Sequence, residues 1–154
     1  MTNGREFPYR SFEISGFLKQ PKKSPVEKAG PKAQGPGLRL ILRLYLVDET
    51  AFVPMEIHFK AGRTDVPASY RAAFLLASER VRGVDYSEIE VKKFYRTHIP
   101  KGWHQNVIDP GLSTDDPNQN RHDALDWTVT DFDDFIRQVC TLWNIDLGRE
   151  EGLL

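Results

Sequence analysis

Three of the four histidines fall within 25 positions of one another: His98, His104 and His122. They stand in Arg96-Thr97-His98, Gly102-Trp103-His104-Gln105-Asn106 and Asn120-Arg121-His122-Asp123. Imidazole changes charge near neutral pH, so such residues can give or take a proton, and their neutral form can ligate a first-row metal. The stretch between and around them, 99–121, contains Pro100, Gly102, Pro110, Gly111, Pro117 and three Asn. We read it as a long irregular segment, the kind of chain on which sites are built when a rigid sheet holds its ends.

Two chemistries suit these residues. Metal-free cleavage of RNA needs a base for the 2′-hydroxyl proton, an acid for the 5′ leaving oxygen and cations for the charge that develops on phosphorus. In that reading His104 and His122 are the acid and base, and His98 orients one of them. Arg96, Lys101 and Arg121 hold phosphate, while Trp103 or Tyr95 stacks on an unpaired base. Arg39, Arg43, Arg80 and Arg82 extend the basic inventory onto strands.

The other chemistry is a metal centre completed by Asp109 or Asp123. Five residues separate the first two His and seventeen the latter two, which matches no tight ligand motif, and there is one Cys. The carboxylates of 109–134 are accounted for by helix capping and solvation. The sequence has no Gly-rich phosphate loop, no Gly-x-Ser-x-Gly and no zinc-finger spacing, so it points to no cofactor and away from NTPases, serine hydrolases and finger-type DNA readers.

The 154 residues carry a net charge of −1 that conceals an asymmetry. Residues 1–108 hold 18 Lys/Arg against 11 Asp/Glu, net +7, and residues 109–154 hold 3 against 11, net −8. A basic surface for a polyanion is one meaning of this split, and attraction between two halves of one fold, or between molecules, is another. At 40% hydrophobic residues the chain fits a single domain with its own core. Nothing approaches the ~20 apolar residues of a membrane span. The beginning lacks the apolar core of a signal peptide and the lone Cys excludes an internal disulfide, so the expected setting is a reducing cytoplasm with no membrane contact.

The elements that must position the histidines are legible in part. Residues 1–18 carry Phe7, Tyr9, Phe12, Ile14, Phe17 and Leu18 and read as an arm packed on the domain. Residues 19–37 hold four Pro, three Gly and five Lys against one Glu, and read as a mobile basic loop. The sheet-plus-helix core then spans 38–146. Leu38 to Val47 alternates with period two, as does Ala51 to Lys60 after Asp48-Glu49-Thr50, which predicts an antiparallel hairpin. Pro54 cannot donate to a ladder and predicts an edge or a bulge there.

Residues 67–79 fit either a short helix begun by Pro67 or a strand. Val81 to Tyr86 and Ile89 to His98 read as strands joined around Ser87-Glu88. Phe132, Phe135, Ile136, Val139, Leu142 and Trp143 recur at three- and four-residue spacing, which predicts a helix of 13–14 residues, capped by Thr130 and stopped by Asn144 and Gly148. Cys140 sits beside its apolar stripe and reads as a small core residue. The expected architecture is α+β: an antiparallel twisted sheet of four to five strands with the C-terminal amphipathic helix packed on one face.

The order Arg80-Val81-Arg82-Gly83-Val84-Asp85-Tyr86, then Gly102-Trp103-His104-Gln105-Asn106, then Asn120-Arg121-His122, then a closing helix ending Leu142-Trp143-Asn144-Ile145 resembles small bacterial proteins of mobile elements. These include toxin-like members of toxin–antitoxin loci of the TumE kind. Members of that group carry a denser His cluster than Asn120-Arg121-His122-Asp123-Ala124-Leu125. The resemblance implies a nucleic-acid-directed, ribonuclease-like toxin or a stress-locus component. Together with the histidines and the basic first 108 residues, it makes RNA the expected partner. The alternatives are a non-catalytic module that binds a protein or itself through a sheet edge or its acidic region, and a metal-dependent hydrolase.

Overall fold

A computed structural model describes residues 7–24, 32–35, 37–48, 52–92 and 98–148. Two helices and eleven strands follow in chain order: α1 (Ser11–Lys19), β1 (Lys22–Lys23), β2 (Lys32–Gln34), β3 (Gly37–Leu46), β4 (Met55–Ala61), β5 (Tyr70–Leu76), β6 (Glu79–Ser87), β7 (Val91–Lys92), β8 (His98–Ile99), β9 (Gly102–Ile108), β10 (Asn120–Ala124), α2 (Phe132–Leu142) and β11 (Ile145–Asp146). Nine strands make one sheet in the order β10-β9-β6-β5-β4-β3-β1-β11, with β2 also on β3, and β7 pairs with β8 separately. All pairs are antiparallel except β1 with β11.

The mixed α and β content and the antiparallel sheet are as the sequence predicts, but the sheet has nine strands rather than four to five. The excess comes from two sources. Strands β1, β2 and β11 are too short to show a period. Strand β9 alternates core-facing Trp103, Gln105 and Val107 with polar His104 and Asn106, so neither face reads as apolar in sequence. The segment 99–121, expected to be irregular, thus contains β9, and its end forms the start of β10. Pro54 also misleads: it stands just before β4, a central strand, and its carbonyl accepts the Ala77 N–H at 2.9 Å. At 67–79 a 3-10 turn over Pro67–Ser69 leads into β5, so the strand reading holds over Tyr70–Leu76 and the helix reading goes no further than that one turn.

Strand alternation sends one set of side chains to a core covered by α2. Leu40, Leu42, Leu44, Met55, Ile57, Phe59, Tyr70, Phe74 and Leu76 are buried there with Phe132, Phe135, Ile136 and Val139 of the helix. Ring pairs Phe59–Phe135, Tyr70–Phe132 and Phe74–Trp143 stand 6.5, 5.1 and 5.7 Å apart. Each such side chain contributes about 1.5–3 kcal/mol on burial. The helix starts one residue later than Thr130 would place it: Asp131 is the cap, accepting from Asp134 N–H at 2.8 Å. Cys140 is buried beside the stripe, which pushes its thiol up to about 12.

The N-terminal arm contributes a second helix, α1, whose Ile14 and Leu18 join the same core. Within the stretch read as a loop, residues 19–24 and 32–34 carry the end of α1 and strands β1 and β2, while 25–31 and 36 lie outside the described residues. Lys22, fully buried, accounts for the order at its start. Its ammonium donates to the carbonyls of Phe17, Leu18 and Gln20 at 2.6, 2.8 and 2.7 Å, satisfying the C-terminal end of α1.

Candidate functional site

The opposite face of the sheet presents polar side chains in cross-strand rows. Register aligns Ile41, His58, Ala73, Gly83, Asn106 and His122 across six strands in one such row. Arg39, Lys60 and Arg71 lie across β3, β4 and β5 in the row to one side; Arg43, Glu56, Leu75 and Arg80 lie across β3 to β6 on the other. The five cations Arg39, Arg43, Lys60, Arg71 and Arg80 are all exposed. Arg80 reaches this face through a bulge in β6, where the register slips so that Leu75 faces Arg80 and Phe74 faces Arg82. Strict alternation would keep Arg80 and Arg82 together; the bulge sends Arg80 outward and Arg82 to the other side. There Arg82 is buried among the charges of Arg121, Asp109 and Asp123 and donates to the Val81 carbonyl at 2.8 Å. Burial and Arg121 bring its pKa down to about 10.

At the β6–β9–β10 end of the face four polar side chains interlock. His104 and Asp85 oppose each other in register, and His104 Nε2 stands 2.6 Å from Asp85 Oδ1. The contact is an ion pair in which the Asp85 oxygen is buried. The neighbouring Asn106 amide favours the charged Asp85 carboxylate, and Asn106 Oδ1 accepts from His122 Nδ1. The two imidazoles meet edge to face with centroids 5.3 Å apart. Gly83 makes room for this arrangement, since a Cβ there would stand 3.1 Å from Asn106 Nδ2.

The two histidines are driven in opposite directions. Burial disfavours the His104 imidazolium, but the hydrogen bond and charge of Asp85, with the Gly102 carbonyl, outweigh it and raise its pKa above the usual 6.5. Burial and then the neighbouring His104 charge lower that of His122, with Arg80 adding to the effect against Asp85 and Asp123. For Asp85, burial is outweighed by His104, Asn106 and Arg71, so its pKa falls below the usual value. His104 Nδ1 lies 3.3 Å from the Gly102 carbonyl, so both ring nitrogens are engaged within the protein, and the residue is 3% exposed. His122 keeps Nδ1 on Asn106 and is half-buried, which leaves Nε2, the lone-pair nitrogen of its neutral form, for a ligand.

The residues singled out from sequence therefore separate. His104 and His122 come together, but only His122 is placed to touch a ligand, because burial and two internal partners occupy His104. His98 stands apart, exposed on β8 and paired with Glu90 at 2.5 Å, so it orients neither of the others. Trp103 is 6% exposed, packed on Tyr86, Trp127 and Phe135 at 5.3, 6.4 and 5.4 Å between centroids, and it cannot offer a free ring face to a base. Arg121 points to the other side of β10 from His122 and pairs with Asp123 at 3.2 Å. Lys101 is exposed at the entry to β9, on the rim of a cleft on the core side. Arg96 and Tyr95 lie outside the described residues.

Asp85, Asn106, Gly83, Arg71 and His58 escaped the sequence reading. His104 and Asn106 could have been paired by their two-residue spacing once β9 was recognised as a strand. Asp85 could not, because its place beside His104 depends on register across a fourteen-residue connection. Among the described residues no group of three or more His, Cys, Asp or Glu side chains is arranged to hold a metal ion, so Asp109 and Asp123 complete no ligand set. No helix among them is long and apolar enough to cross a membrane. Compared with protein-family models, with curated proteins and with solved structures, the chain matches none.

Proposed function

We propose that the protein is RNA-directed: it binds single-stranded RNA on the sheet face opposite α2, and His122 is the group on that face that accepts a proton. One observation carries this reading. Five exposed cations share a face with a half-buried imidazole whose surroundings favour its neutral form and whose Nδ1 is held by Asn106 beside the His104–Asp85 pair. An anionic strand on Arg71 and Arg80 would bring a 2′-hydroxyl within reach of His122 Nε2; as that nitrogen takes the proton, O2′ attacks the adjacent phosphorus, the P–O5′ bond breaks, and solvent water protonates the leaving 5′-oxygen. His104 and Asp85 act as positioning residues: their ion pair fixes Asn106, and Asn106 fixes the tautomer and plane of His122. A toxin-like role in a bacterial locus fits the same reading.

The test uses fluorescence anisotropy with a labelled 12-nucleotide RNA. Three to five phosphate contacts predict affinity falling about 20- to 100-fold between 50 and 200 mM salt. Arg71→Glu with Arg80→Glu should weaken binding at least tenfold and flatten that salt response. Cleavage is read on the same RNA and on its 2′-deoxy counterpart, which supplies no 2′-hydroxyl. Equal affinity of the wild type and the doubly reversed variant overturns the reading, and cleavage unaltered in His122→Ala removes its catalytic part. A second reading, a module that binds a protein partner, draws on a different surface.

A further inference from the structure

On the core side, where β10 gives way to the approach to α2, the chain leaves the sheet. The Leu125 N–H still bonds the Trp103 carbonyl at 2.9 Å, and residues 126–129 then continue without strand pairing. Their burial alternates: Leu125, Trp127 and Val129 are half-buried, Asp126 and Thr128 exposed. The gap between this segment and the ends of β6 and β9 is a cleft of about 650 Å3, walled by Tyr86, Trp103 and Trp127 and rimmed by Glu88, Asp126 and Lys101.

In an extended chain alternate peptide groups point the same way. The alternating burial of 125–129 is that of an extended chain, in which the N–H and C=O of Trp127 face the same way as the Leu125 N–H, toward β9 and the cleft. The carbonyl of Thr128 points outward, where Gln138 Nε2 donates to it at 2.8 Å. Among the described residues the main-chain groups of Trp127 have no hydrogen-bond partner. A cleft of this size, with an aromatic wall and a main-chain donor and acceptor two residues beyond a strand end, is a sheet edge waiting for one more strand.

We propose that this cleft binds an extended segment of a partner protein by strand addition to Trp127, with an apolar side chain against the aromatic wall and a Lys or Arg against Glu88 and Asp126. Charge selects this occupant. The rim holds two carboxylates, Glu88 and Asp126, against the one ammonium of Lys101, a local excess of negative charge that disfavours a polyanion and suits a basic side chain. Backbone pairing would supply affinity and the alternate side chains specificity. The proposal is independent of RNA binding on the opposite face.

A displayed library of random hexapeptides, selected in parallel on the intact protein and on its Asp126→Lys variant, tests it. Asp126 is exposed, so the substitution reverses rim charge without touching the core. The expected result is enrichment, on the intact protein, of peptides alternating basic and apolar residues. Those peptides should bind the Asp126→Lys and Glu88→Lys variants at least tenfold more weakly and lose binding when alternate amides are N-methylated. Three results overturn the proposal: no enrichment over bare support, equal binding to the charge-reversed variants, or equal binding after N-methylation. Displacement of the selected peptides by a 12-nucleotide RNA at 150 mM salt would assign the cleft to nucleic acid and overturn it as well.

Discussion

His104 and His122 meet edge to face with ring centroids 5.3 Å apart, one held to Asp85 and the other to Asn106. Two like groups at this distance cannot both carry charge cheaply, and the carboxylate on one side decides which does. The surroundings of His104 favour its imidazolium, and those of His122 favour its neutral ring. Environments that push two titratable groups apart are how a protein separates a proton acceptor from its supporting charge.

The first prediction concerns that separation. Titration followed by NMR should show one imidazole changing charge above pH 6.5 and one below. In Asp85→Asn the higher transition should fall, because burial at His104 is then opposed only by the Gly102 carbonyl. Two unchanged transitions in the variant would show that Asp85 does not set the difference.

The same ion pair predicts a window of stability. His104, with its raised pKa, stabilises the fold below about pH 6.5, and this is lost as pH rises through the raised value. Asp85, with its lowered pKa, contributes above about 3.8, and this is lost as pH falls through the lowered value. The penalty of Asp85→Asn should therefore be largest between about pH 4 and 6.5. The Asp85 side chain is a third exposed, so we expect ~1–2 kcal/mol rather than the larger cost of breaking a fully buried pair. Urea denaturation of both proteins across pH 3–9 measures it.

Lys22 predicts an opposite trend at higher pH. Burial lowers its pKa from 10.5 to about 8, so between those values the unfolded chain holds the extra proton and stability rises with pH. Lys22→Met should cost about 2–4 kcal/mol by leaving three carbonyls at the end of α1 without donors, and should abolish the rise. Thermal melts at pH 7.5 and 10.5 would show both effects.

Gly83 supplies a steric test. A methyl at Gly83 meets Asn106 Nδ2 at 3.1 Å, tight enough to displace the amide by a few tenths of an ångström. Gly83→Ala should leave overall stability within ~1 kcal/mol while shifting the His122 ring resonances. Ring resonances identical to the wild type would mean that Asn106 does not hold His122.

How much of this was legible in the sequence differs by element. Helix α2 was, because Phe132, Phe135, Ile136 and Val139 keep a 3.6-residue period over two turns, whereas α1 repeats it only across Ile14, Phe17 and Leu18. Strand β3 was, because ten residues alternate without a break. Strand β9 was not: Gly102, at φ 92, begins it like a turn, and its polar residues belong to the site rather than to the core. The histidine pair was visible as a concentration of residues, whereas the distinction between buried His104, half-buried His122 and remote His98 depends on register between strands. Trp103 shows the same limit, since an aromatic ring that could stack on a base and one that fills a core are the same residue in sequence.

The most direct measurement is the footprint of RNA on the intact 154-residue chain. We predict that 1H–15N spectra recorded during titration with a 12-nucleotide single-stranded RNA at 100 mM salt will shift Arg71, Ala73, Arg80, Gly83 and His122, leaving Trp127 and Val129 in place. Shifts confined to the Trp127 cleft, or none at RNA concentrations up to 1 mM, about the weakest affinity worth detecting, would contradict the account.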